Sequence, residues 1–68
     1  MSHMRVEVDH FSAVAQDELE RAGVSIDALR TQRGWTISVR DDDLGEVIAT
    51  LAKFGHTVYR ADSVPPAR

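Results

Sequence analysis

Residues 35–55, WTISVRDDDLGEVIATLAKFG, change period once, and that change decides the fold. Trp35, Ile37 and Val39 alternate with Thr36, Ser38 and Arg40, the pattern of a strand with one buried face. From Leu44 onward the apolar residues Leu44, Val47, Ile48, Leu51 and Phe54 recur at spacings of three and four, the stripe of an amphipathic helix. The switch falls on Asp41-Asp42-Asp43. Asp43 with Glu46 three residues on forms a capping-box-like pair, and acids in a first turn complement the positive end of the helix dipole. The acidic run therefore reads as a helix start in preference to a carboxylate metal cluster. Lys53 and Gly55 close the helix.

Upstream, Val24, Ile26 and Ala28 alternate, and Thr31-Gln32-Arg33-Gly34 reads as a turn, which makes a hairpin with the strand that begins at Trp35. Before the hairpin, Phe11, Val14, Ala15, Leu19 and Ala22 predict a short amphipathic helix over residues 11–22, capped by Ser12 or Asp9 and stopped by Gly23. Met4, Val6 and Val8 alternate with Arg5, Glu7 and Asp9 and give a first strand over residues 4–9. Downstream, His56 to Ala61 supplies a last strand through Val58 and Tyr59. Residues 62–68, with Pro65-Pro66, read as a flexible tail. Ser2-His3-Met4 has the form of a cloning remnant, so residues 1–3 are set aside and the domain is expected over 4–61.

The order is strand, helix, strand, strand, helix, strand. Two such halves joined by right-handed crossovers give an α+β ferredoxin-like βαββαβ plait, a four-stranded antiparallel sheet in spatial order 4-1-3-2 with both helices on one face. Met4, Val6, Val8, Ile26, Trp35, Ile37, Val39 and Val58 are expected to face the helices. Val14, Leu19, Leu44, Val47, Ile48, Leu51 and Phe54 are expected to answer them. Each such side chain contributes roughly 1.5 to 3 kcal/mol when fully buried, so no metal or disulfide is needed to offset chain entropy.

Sixty-eight residues allow one domain, and 43% hydrophobic with 28% charged content lies in the globular range. The absence of cysteine excludes a disulfide framework, a thiolate metal site and a thiol nucleophile, and with no apolar run long enough to span a membrane it favours a cytoplasmic protein. The net charge of −3 and the dispersed arginines give no basic patch, which disfavours nucleic acid. RNA-binding plaits stack bases on aromatic residues of the central strands, whereas the corresponding positions here are Glu7, Asp9, Thr36 and Ser38.

Val6-Glu7-Val8 leading to a loop and helix, Gly23-Val24 after that helix, a hairpin, then Leu44-Gly45-Glu46-Val47-Ile48 leading to Phe54-Gly55-His56-Thr57-Val58 make the chain, from Met4 to Arg60, resemble the heavy-metal-associated domain of copper chaperones and metal-transport ATPases. The resemblance implies the plait. It also implies a Cys-x-x-Cys metal site, but Ala13 and Gln16 stand where the two thiolates belong, and neither can replace soft thiolate ligation of Cu(I).

Three functional readings follow. The sheet face opposite the helices, carrying Glu7, Thr36, Ser38, Arg40, Thr57 and Tyr59, suits another protein or a second copy, with Arg40, Tyr59, Glu7 and Ser38 as anchors of a non-catalytic binding module. The plait also brings the loop after strand one and the loop before strand four to one end of the sheet, which places Asp9, His10 and His56 together. Two imidazoles and a carboxylate form an open zinc- or nickel-type set, although loop histidines more often hydrogen-bond locally. A dimeric domain sensing a small ligand is the third reading. No nucleophile elbow, phosphate-binding glycine loop or paired-carboxylate arrangement is present, so neither catalysis nor an organic cofactor is expected.

Overall fold

The computed structural model describes residues 3–64. The elements run β1 (His3–Val8), α1 (Ala13–Arg21), β2 (Ile26–Thr31), β3 (Gly34–Arg40), a 3₁₀ turn (Asp41–Asp43), α2 (Leu44–Lys53) and β4 (Val58–Val64). One antiparallel sheet has the order β2-β3-β1-β4, as the alternation of elements predicts. Val6, Ile37, Val47 and Leu51 have no exposed surface, and Val8, Leu19, Val39, Ala15 and Phe11 complete the layer between sheet and helices. Met4, Ile26, Trp35, Leu44, Phe54 and Val58 pack around its edge.

Several boundaries differ from the sequence reading, each for a local reason. α1 begins at Ala13 because Ser12 takes the N-cap: its backbone is extended (φ −71, ψ 155) and its Oγ accepts from the Ala15 amide at 3.3 Å. Phe11 is buried from the loop, outside the helix. Such a short helix buries only Ala15 and Leu19, and Val14, one residue and about 100° round from Ala15, is 59% exposed. Ile48 lies in the same way beside Val47 and is exposed. The capping box does not form. Asp43 is already turned into the helical region (φ −100, ψ 0) by the preceding 3₁₀ turn, and its side chain makes no cap hydrogen bond.

β4 passes the expected end at Ala61 and continues through Asp62 and Ser63 to Val64, because β1 starts at His3 and supplies partners that far. His3, set aside with the first residues, pairs with Arg40 on one side and Val64 on the other. Met1, Ser2 and residues 65–68 lie outside the described residues. A bulge between Glu7 and Val8 sets Val58 against Val8 and Arg60 against Glu7, leaving Tyr59 as the extra residue. β2 is the least covered strand: Ile26 is half-buried and every later residue is exposed.

Candidate metal centre

Both helices end in the same device. In α1, Gly23 takes φ +79, its amide donates to Glu20 O at 3.0 Å, and the Val24 amide donates to Leu19 O at 3.0 Å. In α2, Gly55 takes φ +79, its amide donates to Ala52 O at 3.1 Å, and the His56 amide donates to Leu51 O at 2.9 Å. This is the Schellman motif, whose residue after the glycine turns back onto the helix end. Val24 fills that place as a buried apolar residue, and the matching place in the second half holds His56, only 7% exposed. The sequence reading placed His56 simply on the loop before the last strand; the motif makes it a buried helix-end residue.

The other two residues come from the end of β1. Asp9 ties the neighbouring loops together: its Oδ1 accepts from the His10 amide at 2.7 Å and the Thr57 amide at 2.9 Å, while its own amide donates to Thr57 O at 3.0 Å. The Thr57 amide foremost, with the His10 amide and ring behind it, holds the Asp9 carboxyl below the usual carboxylate range. His10 Nδ1 lies 3.2 Å from Asp9 Oδ1, and its ring stands edge-on to that of His56, with centroids 4.0 Å apart and planes at 73°.

His56 Nε2 is 3.3 Å from the Ser12 amide nitrogen and 3.0 Å from Ser12 Oγ. A backbone amide can only donate, so Nε2 is the accepting nitrogen, and the neutral ring carries its proton on Nδ1. That Nδ1 is buried and has no hydrogen-bond partner among the described residues. Burial first, and then the adjacent His10, push the His56 pKa below the ordinary histidine value. The ring is held neutral, which is the form that binds metal.

The structure therefore brings Asp9, His10 and His56 together, and one donor atom from each lies within 4.8 Å of the others. Donors on a tetrahedral zinc at ~2.0–2.2 Å stand about 3.5 Å apart, so loading requires a closure of about 1 Å. His10, 57% exposed, is the side chain free to make it. The resemblance placed a thiolate pair elsewhere. Of those positions Ala13 is exposed, and the Gln16 side-chain amide donates to Phe11 O at 3.3 Å.

The anchors expected on the sheet face do not converge. Arg40 pairs with His3 at one end of β1 and reaches Asp42 at 3.5 Å, whereas Glu7 is near the other end of β1. Four residues of strand, about 13 Å, separate Arg40 from Thr36, the partner of Glu7. Ser38 is half-buried, and Tyr59, 52% exposed, stands at the bulge. Ser12 and Thr57 are contributors that the sequence reading did not assign to the cluster. The repeated Gly23-Val24 and Gly55-His56 pairs were the available signal for His56: a buried residue after the first glycine foretells a buried one after the second.

No family profile, curated protein or solved structure matches the chain. Among the described residues, no helix is long and apolar enough to cross a membrane.

Proposed function

We propose that this protein is a non-catalytic divalent-metal-binding module whose ligands are Asp9, His10 and His56. The observation that carries this reading is the convergence of three donors from two loops within 4.8 Å, one of them a buried imidazole with an unpartnered nitrogen. A buried polar atom without a partner costs free energy, and a cation bound at Nδ1 would offset that cost once the ring proton moves to Nε2, where it can donate to Ser12 Oγ 3.0 Å away in place of the bond from the Ser12 amide. Two nitrogens and one carboxylate oxygen suit a borderline ion such as zinc or nickel, with solvent completing the shell; Cu(I) favours sulfur, which the chain provides only as thioether.

The Ser12 to His56 contact does not by itself make a nucleophile. Among the described residues His56 Nδ1 has no partner, and so no acid, to orient it. The sheet-face reading has less support, because Glu7 opposes Arg60 and Arg5 opposes Asp62, so the charges of that face are matched within it. Calorimetric titration with zinc tests the proposal on a chain beginning at Met4, which removes His3. Saturation at one equivalent, lost in His10→Ala and in Asp9→Asn, is expected. Equal heats in all three proteins would count against the cluster.

A further inference from the structure

Among the described residues the sheet has two free edges, β2 and β4, and they are unlike. β4 pairs with β1 through a bulge, carries the ion pair Arg60–Asp62, and is followed in sequence by Pro65-Pro66. Bulges, charges and prolines are the usual means of keeping an edge from adding another strand. β2 keeps an unbroken register with β3 from Ile26 to Thr31, has neither bulge nor proline, and exposes Leu29 at 69%. The two-residue turn Gln32-Arg33 makes Thr31 and Gly34 the hydrogen-bonded closing pair. Alternation then directs the backbone groups of Asp27 and Leu29 at β3 and those of Ile26, Ala28 and Arg30 outward from the sheet.

Beside this edge, on the helix side of the sheet, runs a groove of about 410 Å³ whose lining includes Ile26, Ala28, Leu19, Glu20, Phe11 and Trp35. Glu20 on α1 lines it, and Arg30, near the end of β2, stands opposite the lining residue Trp35 in the register; neither makes an ion pair among the described residues. The register places Ile26, Ala28 and Arg30 opposite Val39, Ile37 and Trp35, so all three lie on the helix side of the sheet.

We infer that the β2 edge takes a second copy of this chain, antiparallel, with Ala28 opposite Ala28 on the two-fold axis. This register pairs the outward-directed groups and keeps the faces in phase: Ile26 meets Arg30 of the second copy, and Asp27 meets Leu29. Sliding by two residues one way sets Asp27 against Asp27. A two-residue slide the other way leaves Ile26 unpaired, and a four-residue slide sets Arg30 against Arg30. In the favoured register Arg30 of the second copy stands beside Ile26, on the side of the sheet where Glu20 borders the groove, and the two-fold repeats that contact. The two grooves meet over an eight-stranded sheet that has all helices on one face. The contact is smaller than the ~20–30 residues a side of a standard interface, so the dimer is weak and concentration-dependent.

This inference does not rest on the metal reading. Sedimentation equilibrium in the presence of EDTA tests it without metal bridging. A monomer–dimer equilibrium is expected in the wild type. Glu20→Arg and Arg30→Glu should each weaken it about tenfold, and the double variant, which restores opposite charges, should return to within about threefold of wild type. Ala28→Pro removes an outward amide without touching the bonds to β3 and should abolish the dimer. The charge-swap arm decides independently of whether Ala28→Pro folds. A wild type of monomer mass at every concentration, or a double variant no tighter than the single ones, overturns the inference.

Discussion

The imidazole of His56 is tied to the first residue of the opposite helix cap: its Nε2 accepts from the Ser12 amide at 3.3 Å and lies 3.0 Å from the Ser12 hydroxyl, across 44 residues of sequence. The residue that closes α2 thus meets the residue that opens α1. The bond requires an unprotonated nitrogen, so the joint between the two halves depends on the charge of one ring.

The first prediction concerns that charge. The folded-state pKa of His56 is lowered, so in the window below the ordinary histidine value the unfolded chain binds more protons than the folded one. Stability from this group is complete above about pH 6.5 and falls as pH drops through the folded value. Asp9, also lowered, acts with the same sign at more acid pH, below its ordinary 3.8. Urea midpoints measured in EDTA between about pH 8 and pH 5 should decline in the wild type and less so in His56→Leu. Parallel profiles would remove His56 as the cause.

The Ser12 hydroxyl caps α1 and faces His56 at once. Ser12→Ala should cost about 1 kcal/mol, and up to about 2, by equilibrium denaturation. Ser12→Thr, which keeps the oxygen, should recover most of that loss.

Gly34 begins β3 at φ +139, and a methyl built there would lie on the carbonyl oxygens of Val8 and Asp9 and 2.8 Å from the Asp9 carbonyl carbon. The neighbours are backbone and cannot yield cheaply. Gly34→Ala should therefore destabilise by more than ~2 kcal/mol and displace the amide resonances of Asp9 and His10, because it presses directly on the strand end that carries them. A near-neutral variant would contradict the close approach.

Leu51 has no exposed surface, whereas Val14 is 59% exposed. Leu51→Ala should cost about 2–5 kcal/mol. A domain of about 60 residues has only roughly 3–9 kcal/mol in all, so that variant should be largely unfolded on warming. Val14→Ser should stay within about 0.5 kcal/mol of wild type, although periodicity assigned it to the core. Thermal unfolding by circular dichroism distinguishes the two.

How far the sequence could be followed depended on how many residues carried each signal. β1, β3 and α2 were legible because each repeats its period across several apolar residues, such as Val6 with Val8 and Val47 with Leu51. The strand order followed from the sequence of elements and the right-handed crossover. α1 was overextended at its start because Phe11 fits a helical spacing, and a single serine cap outweighs that spacing in the structure. The end of β4 was lost because Asp62-Ser63-Val64 has no apolar alternation of its own, and its pairing depends on β1. The bulge at Tyr59 is one extra residue and leaves no periodic trace. Asp9, His10 and His56 could be placed at one end of the sheet from topology alone. The burial of His56 and its bond to Ser12 could not, since they arise from a helix-end motif in which histidine stands where its counterpart is valine.

The central claim is that Asp9, His10 and His56 hold a divalent cation, and imidazole nitrogen shifts test it most directly. In a chain beginning at Met4, ¹⁵N-labelled at histidine, one equivalent of zinc should move one ring nitrogen of His10 and one of His56 together. The same titration should fade at acid pH, since the ligating rings must be neutral. Unmoved imidazole resonances at one equivalent, or shifts confined to exposed carboxylates at large metal excess, would contradict the account.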